Sequence, residues 1–171
     1  MSAPAPEPAP SPPPSPGISG LPLAVAIDAA RPRDLLALVR LQKRAFPPRL
    51  AYPLGTLVLL WALPWVRLLV ARQREVIVGC IIADRVIDGA RVINLAVDPA
   101  ARRQGVGTAL LQAVEQEFAG TDITLMVQVE NSAARALYHS AGYTDEAAAP
   151  NYYGPGRSGI RMRKMALRDR W

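Results

Sequence analysis

Leu95-Ala96-Val97-Asp98-Pro99-Ala100-Ala101-Arg102-Arg103-Gln104-Gly105-Val106-Gly107-Thr108 holds the strongest pattern in the chain. An apolar run stops at Asp98-Pro99 and a basic turn follows. Two glycines then open a segment in which Val106, Leu110, Val114 and Phe118 recur every four residues. That succession reads as strand, turn and amphipathic helix. Glycine has no Cβ, so the backbone there can approach a ligand closely. The N–H groups of a first helical turn have no carbonyl partners, and with the positive end of the helix dipole they form an anion site. Arg102 and Arg103 add charge and donors, and Thr108 offers a hydroxyl. The stretch is not a Walker loop, since no Gly-Lys-Ser/Thr follows four residues after a glycine. Nor is it a dinucleotide fingerprint, since a third glycine at the required offset is missing.

The flanking sequence extends the pattern on both sides. Val92 to Val97, apolar except for Asn94, predicts a central strand buried on both faces. Before it, Leu68–Ala71 and Val76–Ala83 read as strands around a polar turn at Arg72 to Glu75, and Asp88-Gly89 marks a further hairpin. Earlier still, a helix between Leu54 and Leu63 ends at Pro64. Another begins near Pro32, carries Leu35, Leu38 and Val39 on one stripe, and breaks at Phe46-Pro47-Pro48. Leu21 to Ile27 predicts a first strand. After the glycine helix, Ile123 to Val129 alternates, with Ile123, Leu125, Val127 and Val129 on one face and Thr124, Met126 and Gln128 on the other. Asn131 caps a helix running to Ala141, Gly142 ends it, and Ile160 to Leu167 forms a last strand. The order is a strand, two helices, three strands, helix, strand, helix and a terminal strand pair, an α/β chain.

Composition narrows the function. Of 171 residues, half are hydrophobic, as expected for one folded domain over 21–171. Residues 1–20 are almost entirely Pro, Ala and Ser and predict a disordered tail. The net charge of +6 is scattered, without a run of five like charges; it suits a polyanionic ligand, and no groove-reading motif accompanies it to suggest nucleic acid. One cysteine, Cys80, and one histidine, His139, exclude an intramolecular disulfide and a Cys/His metal site. A reducing, cytoplasmic setting fits. The uncharged run Leu50 to Val66 holds Pro53, Gly55 and Pro64 and falls short of a membrane span, so it reads as a buried helix feeding a strand.

Leu95 to Leu111 resembles the acetyl-CoA-binding motif of the GNAT superfamily, Gln/Arg-x-x-Gly-x-Gly/Ala, with Arg102, Gly105 and Gly107 in its three defined positions. Asn131-Ser132-Ala133-Ala134-Arg135-Ala136-Leu137-Tyr138, followed by Ala141-Gly142-Tyr143, resembles the second block of that family. The resemblance spans roughly Leu21 to Leu167. It implies a mixed, mostly antiparallel sheet flanked by helices and splayed between strands four and five, with acetyl-CoA in the gap. Within the family, the chain looks most like protein N-terminal acetyltransferases of the ribosomal-protein-alanine type. Phe46-Pro47 and Asn151-Tyr152-Tyr153 are similar to substrate-loop motifs of that branch.

The resemblance also implies a division of labour. Leu95, Ala96 and Val97 would hold pantetheine and polarise the carbonyl; Arg102, Arg103, Gln104, Gly105, Val106, Gly107 and Thr108 would hold the pyrophosphate. Asn131 would contact the cofactor, although as a helix cap it has a purely structural use too. Tyr138 would be the general acid. Phe46, Pro47, Tyr152 and Tyr153 would bind the acceptor, a primary amine such as a protein N-terminus; no metal, nucleic acid or membrane partner is implied, and the chain would be a monomer or homodimer. One departure stands out. Related enzymes often carry Glu or His where this chain has Met126, which accepts no proton. Glu130 lies at the end of the same strand, and Asn94 is placed to hold a water. An α-amino group titrates near 8 and a lysine near 10.4, so the missing base favours an N-terminal acceptor. Acetylation of a small-molecule amine, or a non-catalytic acetyl-CoA sensor, are the alternatives.

Overall fold

The polar turn at Arg72 to Glu75 reverses the chain because Arg74 and Glu75 both adopt positive φ, 46° and 68°. Two such residues give the tight turn whose twist matches a strand pair. The hairpin so formed, β2 (Val66–Gln73) and β3 (Val76–Val86), supplies the second and third strands of a seven-stranded sheet. The computed structural model describes residues 25–166. The expected tail at 1–20 lies outside them, as do Leu21 to Ala24 of the expected first strand and Leu167 of the expected last one.

The remaining strands are β1 (Ala26–Ala29), β4 (Gly89–Val97), β5 (Ile123–Gln128), β6 (Thr144–Ala149) and β7 (Gly159–Lys164), in spatial order β1-β2-β3-β4-β5-β7-β6. The helices are α1 (Leu35–Ala45), α2 (Leu54–Ala62), α3 (Val106–Glu117) and α4 (Ser132–Ser140). The element order matches the sequence reading. Every neighbouring pair is antiparallel except β4–β5, which α3 joins as a crossover.

The helices cover both faces of the sheet. On one, α3 buries Leu110, Leu111 and Val114 against Leu69, Ile81 and Leu125. On the other, α1 and α2 bury Leu38, Leu41 and Leu57 against Val70 and Ile82. Each such leucine contributes about 1.5–3 kcal/mol relative to an exposed one. The helix expected to be buried, α2, hides only Leu57 completely, while Val58 and Leu59 are exposed. It caps one edge of the core and then feeds β2. Among the described residues, no helix is long and apolar enough to cross a membrane.

β4 and β5 pair only over Ala90↔Ile123, Arg91↔Thr124 and Val92↔Leu125. Past that point they part. A bulge in β4 begins the separation: Ala83 of β3 faces Val92 and Ile82 faces Asn94, leaving Ile93 as the extra residue. Ile93, Leu95 and Val97 are therefore only half-buried. The expectation of a strand buried on both faces fails there because the second face opens into a cleft. β5 likewise stops at Gln128, and Val129, read as sharing a face with Ile123, Leu125 and Val127, is exposed and donates its N–H to Ser158 O.

Candidate active site

The gap between the parted strands is a cleft of about 840 Å³. Of the residues singled out in the sequence, Leu95, Ala96, Val97, Arg102, Arg103, Gly105, Val106, Gly107, Thr108, Asn131, Phe46, Pro47, Tyr138 and Tyr153 all line it. Gln104 and Tyr152 do not. The Gln104 side chain turns back, donating to Ala100 O at 2.9 Å and accepting from Gln73. Tyr152 stands outside, stacked edge-on against Tyr153 at 4.9 Å between ring centroids.

The basic turn is built by the backbone. Gly105 caps α3 at φ 79°, ψ 0°, a left-handed conformation that strains any side chain. Ala109 is the first residue of the helix whose N–H reaches an intrahelical carbonyl, that of Gly105 at 2.9 Å. The N–H groups ahead of it face the cleft mouth at the positive end of the helix. A Cβ on Gly105 would meet open space, whereas one on Gly107 would approach Leu137 Cδ2 to 3.0 Å. The turn is thus a cradle that side chains would fill, and its donors and arginines fit a pyrophosphate. Arg102 bridges the mouth by donating to Val97 O and Ala45 O. Arg44 pairs with Asp98 at 2.7 Å, tying α1 to the end of β4.

Tyr138 projects from α4 into the cleft wall, buried, with its ring edge-on to Tyr143 at 5.9 Å. Burial holds its phenol protonated far above the ordinary tyrosine range. Asn131 does make the helix-cap bond, its Oδ1 accepting from Ala134 N at 3.1 Å, while also lining the cleft.

The far wall is made by Met126, Tyr153 and Tyr52. The Tyr153 hydroxyl donates to Met126 O at 2.9 Å, and burial pushes its phenol up to about 12. Tyr52, raised by burial as well, lines the cleft from the α1–α2 connection. The sequence reading missed Tyr52; its signal was its place five residues after Phe46-Pro47, in the same loop. A buried amide pair was missed as well. Gln42 Nε2 donates to Asn94 Oδ1 at 2.8 Å and approaches Cys80 Sγ at 3.6 Å, and Gln42 Oε1 accepts from Tyr52 N. A glutamine next to Leu41 on the apolar side of α1 was the available clue. The pair fixes Asn94 on the cleft floor and anchors the loop that carries Tyr52.

Among the described residues lining the cleft there is no Asp, Glu or His. Glu130 is exposed and outside it. His139 faces away, its Nδ1 3.1 Å from Tyr143 O and its Nε2 3.3 Å from Asp145. Cys80 is fully buried, and its thiol is pushed up to about 12 by that burial. Among the described residues no cluster could hold a metal ion.

Residues 64–145 match the family model described as an acetyltransferase (GNAT) domain. An uncharacterized N-acetyltransferase of Methanocaldococcus jannaschii is 32% identical over 136 residues, covering 77% of this chain and 86% of that one. The chain belongs to the GNAT acetyltransferases. Acetyl-CoA is therefore its acetyl donor. The [ribosomal protein bS18]-alanine N-acetyltransferase of Escherichia coli is 41% identical over 71 residues, a match spanning 40% of this chain and 48% of that protein. The crystal structure of the ribosomal-protein-S18-alanine N-acetyltransferase from Escherichia coli superposes with a TM-score of 0.74 at 27% identity, over 86% of this chain and 99% of that one. The splay seen here between β4 and β5 is that of a GNAT fold with an open sheet.

Proposed function

We propose that this GNAT enzyme acetylates the α-amino group at the N-terminus of a protein, in the cytoplasm. The observation that carries the reading is the cleft without a carboxylate or imidazole. Such a site offers no counter-charge to a polycationic small amine and no strong base for a lysine. An α-amino group, with a pKa near 8, has a useful neutral fraction unaided. The names of the Escherichia coli relatives, which state alanine N-acetylation of a ribosomal protein, agree with this choice.

In the proposed reaction the amine nitrogen attacks the thioester carbonyl, the C–S bond breaks, and the sulfur leaves with a proton from Tyr138. Backbone groups of Leu95 to Val97, freed by the parting of β4 from β5, hold the pantetheine and polarise the carbonyl. Arg102, Arg103, Gly105, Val106, Gly107 and Thr108 hold the pyrophosphate, with Gln104 contributing only its backbone. Asn131 contacts the donor from the cap of α4. Phe46, Pro47 and Tyr153 line the path of the acceptor, with Tyr152 supporting Tyr153 from outside. The amine's proton leaves through water held by the Asn94 amide. Much of the acceleration comes from holding the two reactants in line.

The test is CoA release measured with peptides bearing free or blocked N-termini beside a panel of polyamines, aminoglycosides and lysine side chains. Free-N-terminus peptides should be turned over and their blocked counterparts should not. Turnover confined to the small amines would overturn the reading.

A further inference from the structure

We infer that Arg91 and Arg161 select acceptors with acidic residues directly after the reacting N-terminus. This rests on the peptide-acceptor reading above and concerns the same cleft. The alternation of each strand gives the placement. Ala90 and Val92 pack toward α3, so Arg91 between them projects from the opposite face. On β5, Leu125 packs toward α3, so Thr124 and Met126 share the face of Arg91. On β7, Met162 does the same, which puts Gly159, Arg161 and Arg163 on that face as well. Gly159 ties the face to the cleft: a Cβ there would lie 2.8 Å from Met126 Sδ and 3.3 Å from the Tyr153 ring.

Arg161 pairs across the strands with Met126, and Arg91 pairs with Thr124 one step away. With strands about 4.8 Å apart and about 3.4 Å per residue along them, the two arginines flank the floor beyond Met126. An extended acceptor, its amine at the cleft, reaches that distance with its second and third residues. Both guanidinium groups are available, with side chains 55% and 52% exposed. Each is held at one end only. Asp84 grips Nε and one terminal nitrogen of Arg91 at 3.2 and 2.6 Å, and Glu146 takes Nε of Arg161 at 2.8 Å. Each guanidinium therefore keeps an exposed side beyond its carboxylate. Glu146 also pairs with Arg163 at 3.0 Å, so it stays compensated if Arg161 turns to an acceptor. The charge of Arg91 is felt by Tyr52 in the cleft wall and by Tyr152 just outside it. A lysine-rich acceptor meets two arginines whose own carboxylates, Asp84 and Glu146, are already paired; a glutamate-rich one meets their exposed positive charge.

The experiment uses the full chain and peptides that begin with Ala, have a free α-amino group and an amidated C-terminus, and carry Glu-Glu, Ser-Ser or Lys-Lys at positions two and three. The kcat/KM order should be Glu, then Ser, then Lys. The Glu-to-Lys ratio should be about tenfold at low salt and shrink markedly near 0.5 M salt, because exposed charges are screened. Arg161→Gln should lower the ratio and Arg161→Glu should invert it, while Arg91→Lys, which preserves the charge, should retain it. CoA affinity and melting temperature show that each variant is folded. Turnover with no charge preference, a preference for Lys, or a ratio unmoved in folded Arg161→Glu overturns the inference and leaves the acceptor reading intact. No turnover of any free-N-terminus peptide removes both.

Discussion

The two ends of the cleft are built from different materials. The end proposed to take the donor is one continuous stretch, Leu95 to Thr108, and would work through its backbone: strand edge, turn and helix start. The end proposed to take the acceptor is assembled from side chains on α1, the α1–α2 connection, β5 and the loop before β7. A backbone site tolerates changes of side chain until one intrudes on the cradle. A side-chain site changes its preference with single substitutions. The donor end should therefore fail abruptly and the acceptor end should drift.

The harshest way to break the donor end is Gly105→Asp. It places a branched, negative residue at φ 79° beside the anion cradle, so CoA affinity by calorimetry should fall at least ~100-fold, since backbone strain and charge repulsion add. Gly107→Asp should act similarly through crowding of Leu137. Unchanged affinity in a folded variant would refute the assignment of the turn.

Tyr138→Phe comes next, at the junction of the two ends. Turnover should drop by about 10²–10⁴ while the Kd for CoA stays within about twofold, because the proton is wanted only as the thiolate leaves. Full turnover with chemistry shown to limit the rate would exclude the acid role.

At the acceptor end, Met126→Glu sharpens the comparison through pH. In the native enzyme the rate should rise with pH through the amine's own pKa, since only the neutral amine attacks. A carboxylate here accepts the amine's proton, so the rise should move to lower pH, with a gain of about tenfold near pH 6.5. A profile that kept its midpoint would show that Glu at this position does not reach the amine.

Gly159→Ala should have the mildest effect. Its methyl group presses on the flexible end of Met126 and on the Tyr153 ring, narrowing the acceptor path. The KM for peptide should rise a few-fold while CoA binding is untouched, as expected when a few tenths of an ångström must be absorbed in a packed wall.

The same contrast explains what could be read in advance. The turn that opens α3 on the cleft was legible because Gly105, Gly107 and the arginines are neighbours in sequence, and the geometry of a helix start needs no distant partner. The element order was legible because apolar spacing and the Gly/Pro breaks mark it locally. The bulge at Ile93 was not, since it depends on how β3 and β4 register, and with it went the half-exposure of Ile93 and Leu95. Gln42 and Asn94 lie 52 residues apart and meet only in the fold. Tyr52 and Arg161 gain meaning from the elements they face, which spacing along the chain does not record. Gln104 and Tyr152 belong to the motifs read in the sequence, yet their side chains lie outside the cleft, which spacing along the chain does not record either.

Cys80 has a practical consequence. It is the sole sulfhydryl of the chain, sealed beneath Gln42 and the packing of α1 on β3. A thiol-reactive dye added to the folded enzyme therefore reports released CoA long before it labels the polypeptide. Without acetyl-CoA, the same dye becomes a clock for opening. Its slow reaction with Cys80 measures how often α1 lifts from the sheet, the motion that would also release Asn94 and the Tyr52 loop from their anchors.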